Sequence, residues 1–184
     1  MSDTPRTLDY FINEGSGVFA DNASNAITVQ NLRDLVRTAS SGFGGIWGSG
    51  GTLALTTDYA DYDTVLDEDS AFNSDDITTY PHPGSCMLEV SVTGTYLVFF
   101  NASGSLNDVA GLYGKLCIYE GYPGYSDISP EIAISPSGAG DVATLSLVTI
   151  TSLAAGKQVV ARMKAGASRT WTNEFSFFGL IRVG

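Results

Sequence analysis

At 184 residues, the chain is long enough for one domain with a sizeable core, plus an arm. Its 21 Gly and 6 Pro, with abundant Thr, Ser, Val and aromatics and few long helix formers, favour an all-β fold with many turns. The net charge of −11 leaves no basic footprint for nucleic acid and no attraction to anionic lipid, and no segment is apolar for long enough to insert across a bilayer.

The first residues, MSDTPRTLDYFINEG, lack the basic and apolar regions of a secretory signal, which predicts folding in a cytoplasm. Residues 1–26 show no clean period and read as an extended arm with apolar anchors at Leu8, Tyr10, Phe11, Ile12, Val18 and Phe19. The next stretch, ITVQNLRDLVRTAS, predicts one short helix over 28–38. Thr28 is placed to cap it, Ile27 and Leu32 to staple it, and Arg37 to complement its C-terminal dipole. Such a helix is marginal alone in water, so its stripe of Leu32, Leu35 and Val36 should be a docking surface. SSGFGGIWGSGG, half of it Gly, reads as a hinge that is partly packed through Phe43, Ile46 and Trp47.

TLALTT is a short strand, and the acidic run over 58–76 reads as loop around one further short strand. From residue 85 the pattern becomes regular, with strand-like runs CMLEVSV, TYLVFF, YGKLCIY, IAIS, ATLSLVTI, QVVARM and EFSFFGLIRV. The turn signals between them are TG, NASGS, EGYPG, SPSGAG and LAAG. Short antiparallel strands at this spacing imply a sandwich or barrel. Strand parity sends Cys86 inward with Leu88, Val90 and Val92. Cys117 falls on the outer face with Lys115 and Tyr119, too far from Cys86 for a disulfide.

Catalytic inventory is thin. The one histidine, His82 in YPHPG, reads as a turn residue, and the chain shows no nucleophile elbow, CxxC pair or zinc-ligand cluster. No cofactor is expected. Asp61, Asp63, Asp67, Glu68 and Asp69 could offer oxygens to calcium, but they lack EF-hand spacing and are read as a solvated acidic loop. A depolymerase built on two carboxylates is the enzymatic rival.

TYLVFF and EFSFFGLIRV are apolar on both faces. A strand of that kind must be covered on both, and a two-layer sandwich covers one. The second cover is either another copy of the chain or residues 1–41 folded back.

The ordered set GTYLVFF, GKLCIYEG, VATLSLVTITSLAAGKQVVARMKA and NEFSFFGLIRVG resembles the strand series of the C1q/TNF-like jelly roll. The resemblance rests on Gly94 and Tyr96, on Leu153, Gly156 and Val159, and on Phe177, Gly179 and Leu180. It implies a jelly-roll β-sandwich over 42–184 that forms a homotrimer, with Tyr96, Val98, Phe100, Phe178 and Leu180 assigned to the threefold interface. Function then lies in outer loops that bind ligands, with Tyr122 and Tyr125 of GYPGY as the candidate loop. An arm with one docking helix ahead of a β-head further resembles virion proteins of tailed bacteriophages, assembled in the host cytoplasm. The expectation is therefore a fibre head or spike attached to another virion protein through residues 1–41, recognising a host-surface glycan or protein. Its structural rival is a capsid decoration, collar or tail-joining protein that binds no receptor.

Overall fold

The structure, a computed structural model, describes residues 42–62, 71–74, 76–80, 86–121 and 123–183. The helix predicted over 28–38 lies outside them. Gly42–Val183 form a compact body whose described residues make thirteen strands. In chain order these are β1 (Phe43–Gly48), β2 (Thr52–Leu55), β3 (Ala60–Asp61), β4 (Ala71–Asn73), β5 (Ile77–Tyr80), β6 (Met87–Val90) and β7 (Gly94–Leu106). They continue with β8 (Leu112–Tyr119), β9 (Tyr125–Asp127), β10 (Ile132–Ile134), β11 (Val142–Leu153), β12 (Gln158–Ala165) and β13 (Arg169–Arg182).

Two sheets face each other. Sheet A runs β11-β7-β13-β1-β4, with β2 also on β13; sheet B runs β10-β8-β12-β6-β5, with β3 on β12 and β9 on β8. Each of these ladders is antiparallel. From β6 onward the chain changes sheet at every connection except those joining β8, β9 and β10, which is the winding of a jelly roll. Period-2 alternation puts Tyr96, Val98, Phe100, Leu145, Leu147, Phe178 and Leu180 of sheet A against Leu88, Leu112, Leu116, Val159 and Met163 of sheet B, all buried.

β13 could not serve this core with one parity throughout. Trp171 and Asn173 point inward on odd positions, whereas Ser176, Phe178 and Leu180 do so on even ones. The register shift between Asn173 and Phe175 is the bulge that makes the change. It is held by a buried hydrogen-bond chain. Trp171 Nε1 donates to Tyr62 Oη (3.1 Å), and Tyr62 Oη donates to Asn173 Oδ1 (2.8 Å). Asn173 Nδ2 donates to Gly50 O (3.2 Å). Burial pushes the Tyr62 hydroxyl up to about 12.

Three sequence expectations are corrected. The stretch read as a hinge is β1, an interior strand of sheet A between β13 and β4. Its glycines serve close packing: a Cβ on Gly44 would meet the Ile77 side chain at 2.5 Å. NASGS, read as a turn, lies inside β7, pairing with β11 on one side and β13 on the other. There Gly104 leaves room for the Trp171 indole. LAAGK is the turn expected, with Gly156 at φ 81°. Among its described residues the acidic stretch holds two short strands, β3 and β4, where one was expected.

Candidate functional site: the outward faces of the two sheets

In sheet A, the residues assigned from sequence to a subunit interface lie inside. Tyr96, Val98, Phe178 and Leu180 have no exposed surface and Phe100 has 1%, so a single chain already covers them and a second copy would find nothing to bury. The opposite parity faces out, and it too is apolar. Neighbouring strands align it in rows. Phe72, Gly45, Gly179, Phe99 and Val148 form one row across β4, β1, β13, β7 and β11. Phe43, Ile181, Leu97 and Ile150 form the next, and Trp47 and Phe177 begin a third that ends in Asn101 and Ser146.

The two glycines in the middle row decide the shape of this surface. A Cβ on Gly179 would meet the rings of Phe99 and Phe177 at 2.6 and 2.9 Å, and one on Gly45 would meet Phe72 and Phe177 at 3.0 and 3.1 Å. The rings therefore lie over bare backbone. Phe99 stacks on Phe177 (5.3 Å, 12°), Phe177 on Phe72 (5.9 Å, 28°), and Phe72 meets Phe43 at 6.1 Å. The result is an aromatic plate flanked by Val148 and Ile150 of β11, each 66% exposed. Contiguous exposed apolar surface of this kind marks an interaction site.

Sheet B presents the opposite chemistry. Segment 56–62 leaves β2 in sheet A and joins sheet B, where β3 pairs with β12 and Tyr62 enters the core; on the outward face its Asp61 meets Arg162. The guanidinium pairs with Asp61 (2.8 Å) and donates to Tyr59 O (2.6 Å). It also stacks on the Tyr125 ring at 3.6 Å, while Tyr125 Oη donates to Asp61 (2.7 Å). Lys115 pairs with Asp127 (2.7 Å) and Lys164 with Glu131 (3.0 Å), and both ammonium groups sit against the Tyr59 ring. Hydrogen bonds from Lys115 to Asp127, and from Tyr59 and Lys164 to Glu131, hold both carboxyls below their ordinary range.

Cys117 faces this outer side, as parity predicted, and lies buried beneath the cluster; burial pushes its thiol up to about 12. Cys86 is in the inter-sheet core, and neither forms a disulfide.

Of the other residues singled out from sequence, Asp61 is the partner of Arg162. Asp63, Asp67, Glu68 and Asp69 lie outside the described residues, as do Tyr122, Leu32, Leu35, Val36 and His82. Among the described residues no group of three or more His, Cys, Asp or Glu is placed to hold a metal ion, and no helix is long and apolar enough to cross a membrane. The turn Gly121–Gly124 lies at the end of the body where residues 42 and 183 also lie. There Val183 N bonds Thr95 O, Ala155 N bonds Thr93 Oγ1 and Lys157 pairs with Glu120. The plate was half legible in sequence, because Leu97 and Phe99 are the second face of the two-sided strand. Val148 and Ile150 break a polar outward series begun by Thr144 and Ser146, and that was the missed signal.

No protein-family model and no curated protein matches the chain. Among solved structures it is similar to that of Eiger TNF from S. frugiperda, with a TM-score of 0.56 and 17% sequence identity, over 78% of this chain and 94% of that one. At that identity the likeness shows the fold alone, a two-sheet sandwich of the TNF-like jelly-roll type.

Proposed function

We propose that the chain assembles as a homotrimer through the outward face of sheet A, and that the trimer is a non-catalytic β-head displaying ligand-binding surfaces. The observation that carries this reading is the aromatic plate. A flat, preorganised apolar surface in a chain of net charge −11 would favour aggregation unless covered. Closed symmetric assembly covers it with the chain's own copies. Val148 and Ile150 each retain two-thirds of their surface for such a contact, worth on the order of 1–2 kcal/mol apiece once buried. The likeness in fold to a TNF supports the choice of a jelly-roll head. The viral part of the reading rests on the arm-and-head arrangement of the sequence. In it, residues 1–41 attach the trimer to another protein of a bacteriophage particle assembled in the host cytoplasm. The ends of the strands far from residue 42 then carry the outermost turns, 49–51, 107–111, 135–141 and 166–168.

Light scattering after size exclusion tests the assembly. The full chain at micromolar concentration should show three times the chain mass of 19.4 kDa. Val148→Asp combined with Ile150→Asp should give a single-chain mass with an unchanged β-sheet circular dichroism spectrum. A monomeric wild-type protein overturns the reading. A trimer that adheres to no host cell leaves the structural role of a decoration or joining protein.

A further inference from the structure

We propose that the outward face of sheet B is a shallow binding surface for a neutral saccharide, centred on the Tyr59 ring and the carboxylates of Asp127 and Glu131. It deepens the ligand-binding part of the reading above and rests on that part alone. Segment 56–62 is already held by Arg162 on Asp61, by the ladder of β3 on β12, by backbone bonds at Thr56 and Tyr62 and by the buried Tyr62 side chain. The rest of the cluster exceeds that need.

Lys115 and Lys164 rise from neighbouring strands of the sheet and bring their Nζ atoms to 4.4 and 4.5 Å from the Tyr59 ring centroid. Both ammonium groups stand within cation–π distance of the ring, as does the Arg162 guanidinium at 5.8 Å, and Tyr59 keeps part of its surface exposed. Tyr59 Oη donates to Glu131 Oε2, which fixes the ring's remaining rotation.

The two carboxylates each use one oxygen. Asp127 Oδ1 takes Lys115 and the Cys117 thiol, and Glu131 Oε2 takes Tyr59 and Lys164. Asp127 Oδ2 and Glu131 Oε1 have no partner among the described residues, and the two side chains are 54% and 44% exposed. Two immobilised acceptors thus flank an immobilised aromatic face. That combination suits a ligand with hydroxyl donors at its rim and C–H groups on its flat side, which a pyranose provides.

Charge selects against anionic ligands. The cations of Lys115, Arg162 and Lys164 are matched by the carboxylates of Asp61, Asp127 and Glu131, so an anion must break an existing pair and leave a half-buried ion unmatched. A neutral polyol takes the spare lone pairs and breaks none.

The test is saturation-transfer NMR on the full chain, with maltotriose, cellotriose, mannotriose and triacetylchitotriose offered separately, and lactose and 3′-sialyllactose as a charge-contrasted pair. Probes are used at about 5 mM, because a shallow and water-covered surface gives dissociation constants on the order of 1 mM. At least one neutral sugar should receive transfer at its ring C–H protons, reduced at least about fivefold by Glu131→Ala and by Tyr59→Ala. Should Tyr59→Ala fail to fold, the exposed Glu131→Ala decides alone. Val109→Asp, an exposed change in the turn between β7 and β8, should leave transfer unchanged. The proposal is overturned by no transfer to any neutral sugar, by transfer undiminished in Glu131→Ala, or by stronger transfer to sialyllactose than to lactose. A trimer without saccharide contact removes this site and spares the assembly; a monomer with contact does the reverse.

Discussion

Asn173 is the residue on which the change of parity in β13 depends. Its amide accepts from Tyr62 and donates to Gly50 O, and it is 2% exposed. Asn173→Ala takes from the Tyr62 hydroxyl its acceptor Asn173 Oδ1 and leaves the Gly50 carbonyl with one donor fewer. A buried polar group stripped of its partner costs its desolvation, about 1–3 kcal/mol each. Urea unfolding should therefore show a loss of about 2–4 kcal/mol for this one side chain, and a loss under 1 kcal/mol would mean that water replaces the amide. Gly179 answers a different question. Gly179→Ala puts a methyl against the tips of Phe99 and Phe177, which must tilt away from the sheet. Overpacking of that kind costs roughly 1–3 kcal/mol, a loss the fold can bear. Flatness of the plate cannot survive it, so the variant should dissociate at concentrations where the wild-type chain stays assembled. A scattering mass equal to wild type at every concentration would show that no subunit packs over Gly179.

Among elements, legibility followed local consistency. The seven runs from CMLEVSV to EFSFFGLIRV became β6, β7, β8, β10, β11, β12 and β13, because period-2 alternation survives when one face is a core. β1 was missed because Gly argues against a strand interior on entropy and missing side-chain contacts. Tertiary packing overrode that: Ile77 presses on Gly44 and the aromatic rings on Gly45. NASGS was misread for the same reason, its Gly104 being space for Trp171. Within the candidate site, parity named both faces of TYLVFF but could not say which was inward, since Leu97 and Phe99 make one face apolar and Tyr96, Val98 and Phe100 the other. The sheet B cluster was read only in fragments, Lys115 on an outer face and Tyr125 in a loop, because Tyr59, Lys115, Tyr125, Glu131, Arg162 and Lys164 come from five separate segments. β1 also gives the element-scale test. Ile46 is fully buried, so Ile46→Ala should cost about 2–4 kcal/mol in urea unfolding as a cavity in an interior strand. A hinge residue would show almost none.

For the whole molecule, the charged and buried acids set a pH window. Asp127 and Glu131 are held below their ordinary values by Lys115, Tyr59 and Lys164. The stability they add is present above pH 4.5, where the unfolded carboxylates are ionised, and is lost as pH falls through the lowered folded values. At the other limit, desolvation raises Cys117 from 9.0 to about 12 and Tyr62 and Tyr96 from 10.0 to about 12. In these three the folded state holds its proton while the unfolded state releases it. Their contribution is therefore complete below pH 9 and is lost as pH rises from 9 towards 12. Each ionising group steepens the fall by about 1.4 kcal/mol per pH unit, and self-repulsion in an already acidic chain acts in the same direction. At fixed protein concentration, the melting temperature should hold between about pH 5 and pH 9 and drop steeply beyond. Cys117→Ala isolates the first step. It removes the group that titrates earliest, so its descent should begin nearer pH 10 than pH 9, even if the melting temperature at neutral pH is lower. An alkaline limb with the same onset as wild type would mean that the thiol ionises alike in the folded and unfolded chain, and that Asp127 and the tyrosines above Cys117 do not seal it from water.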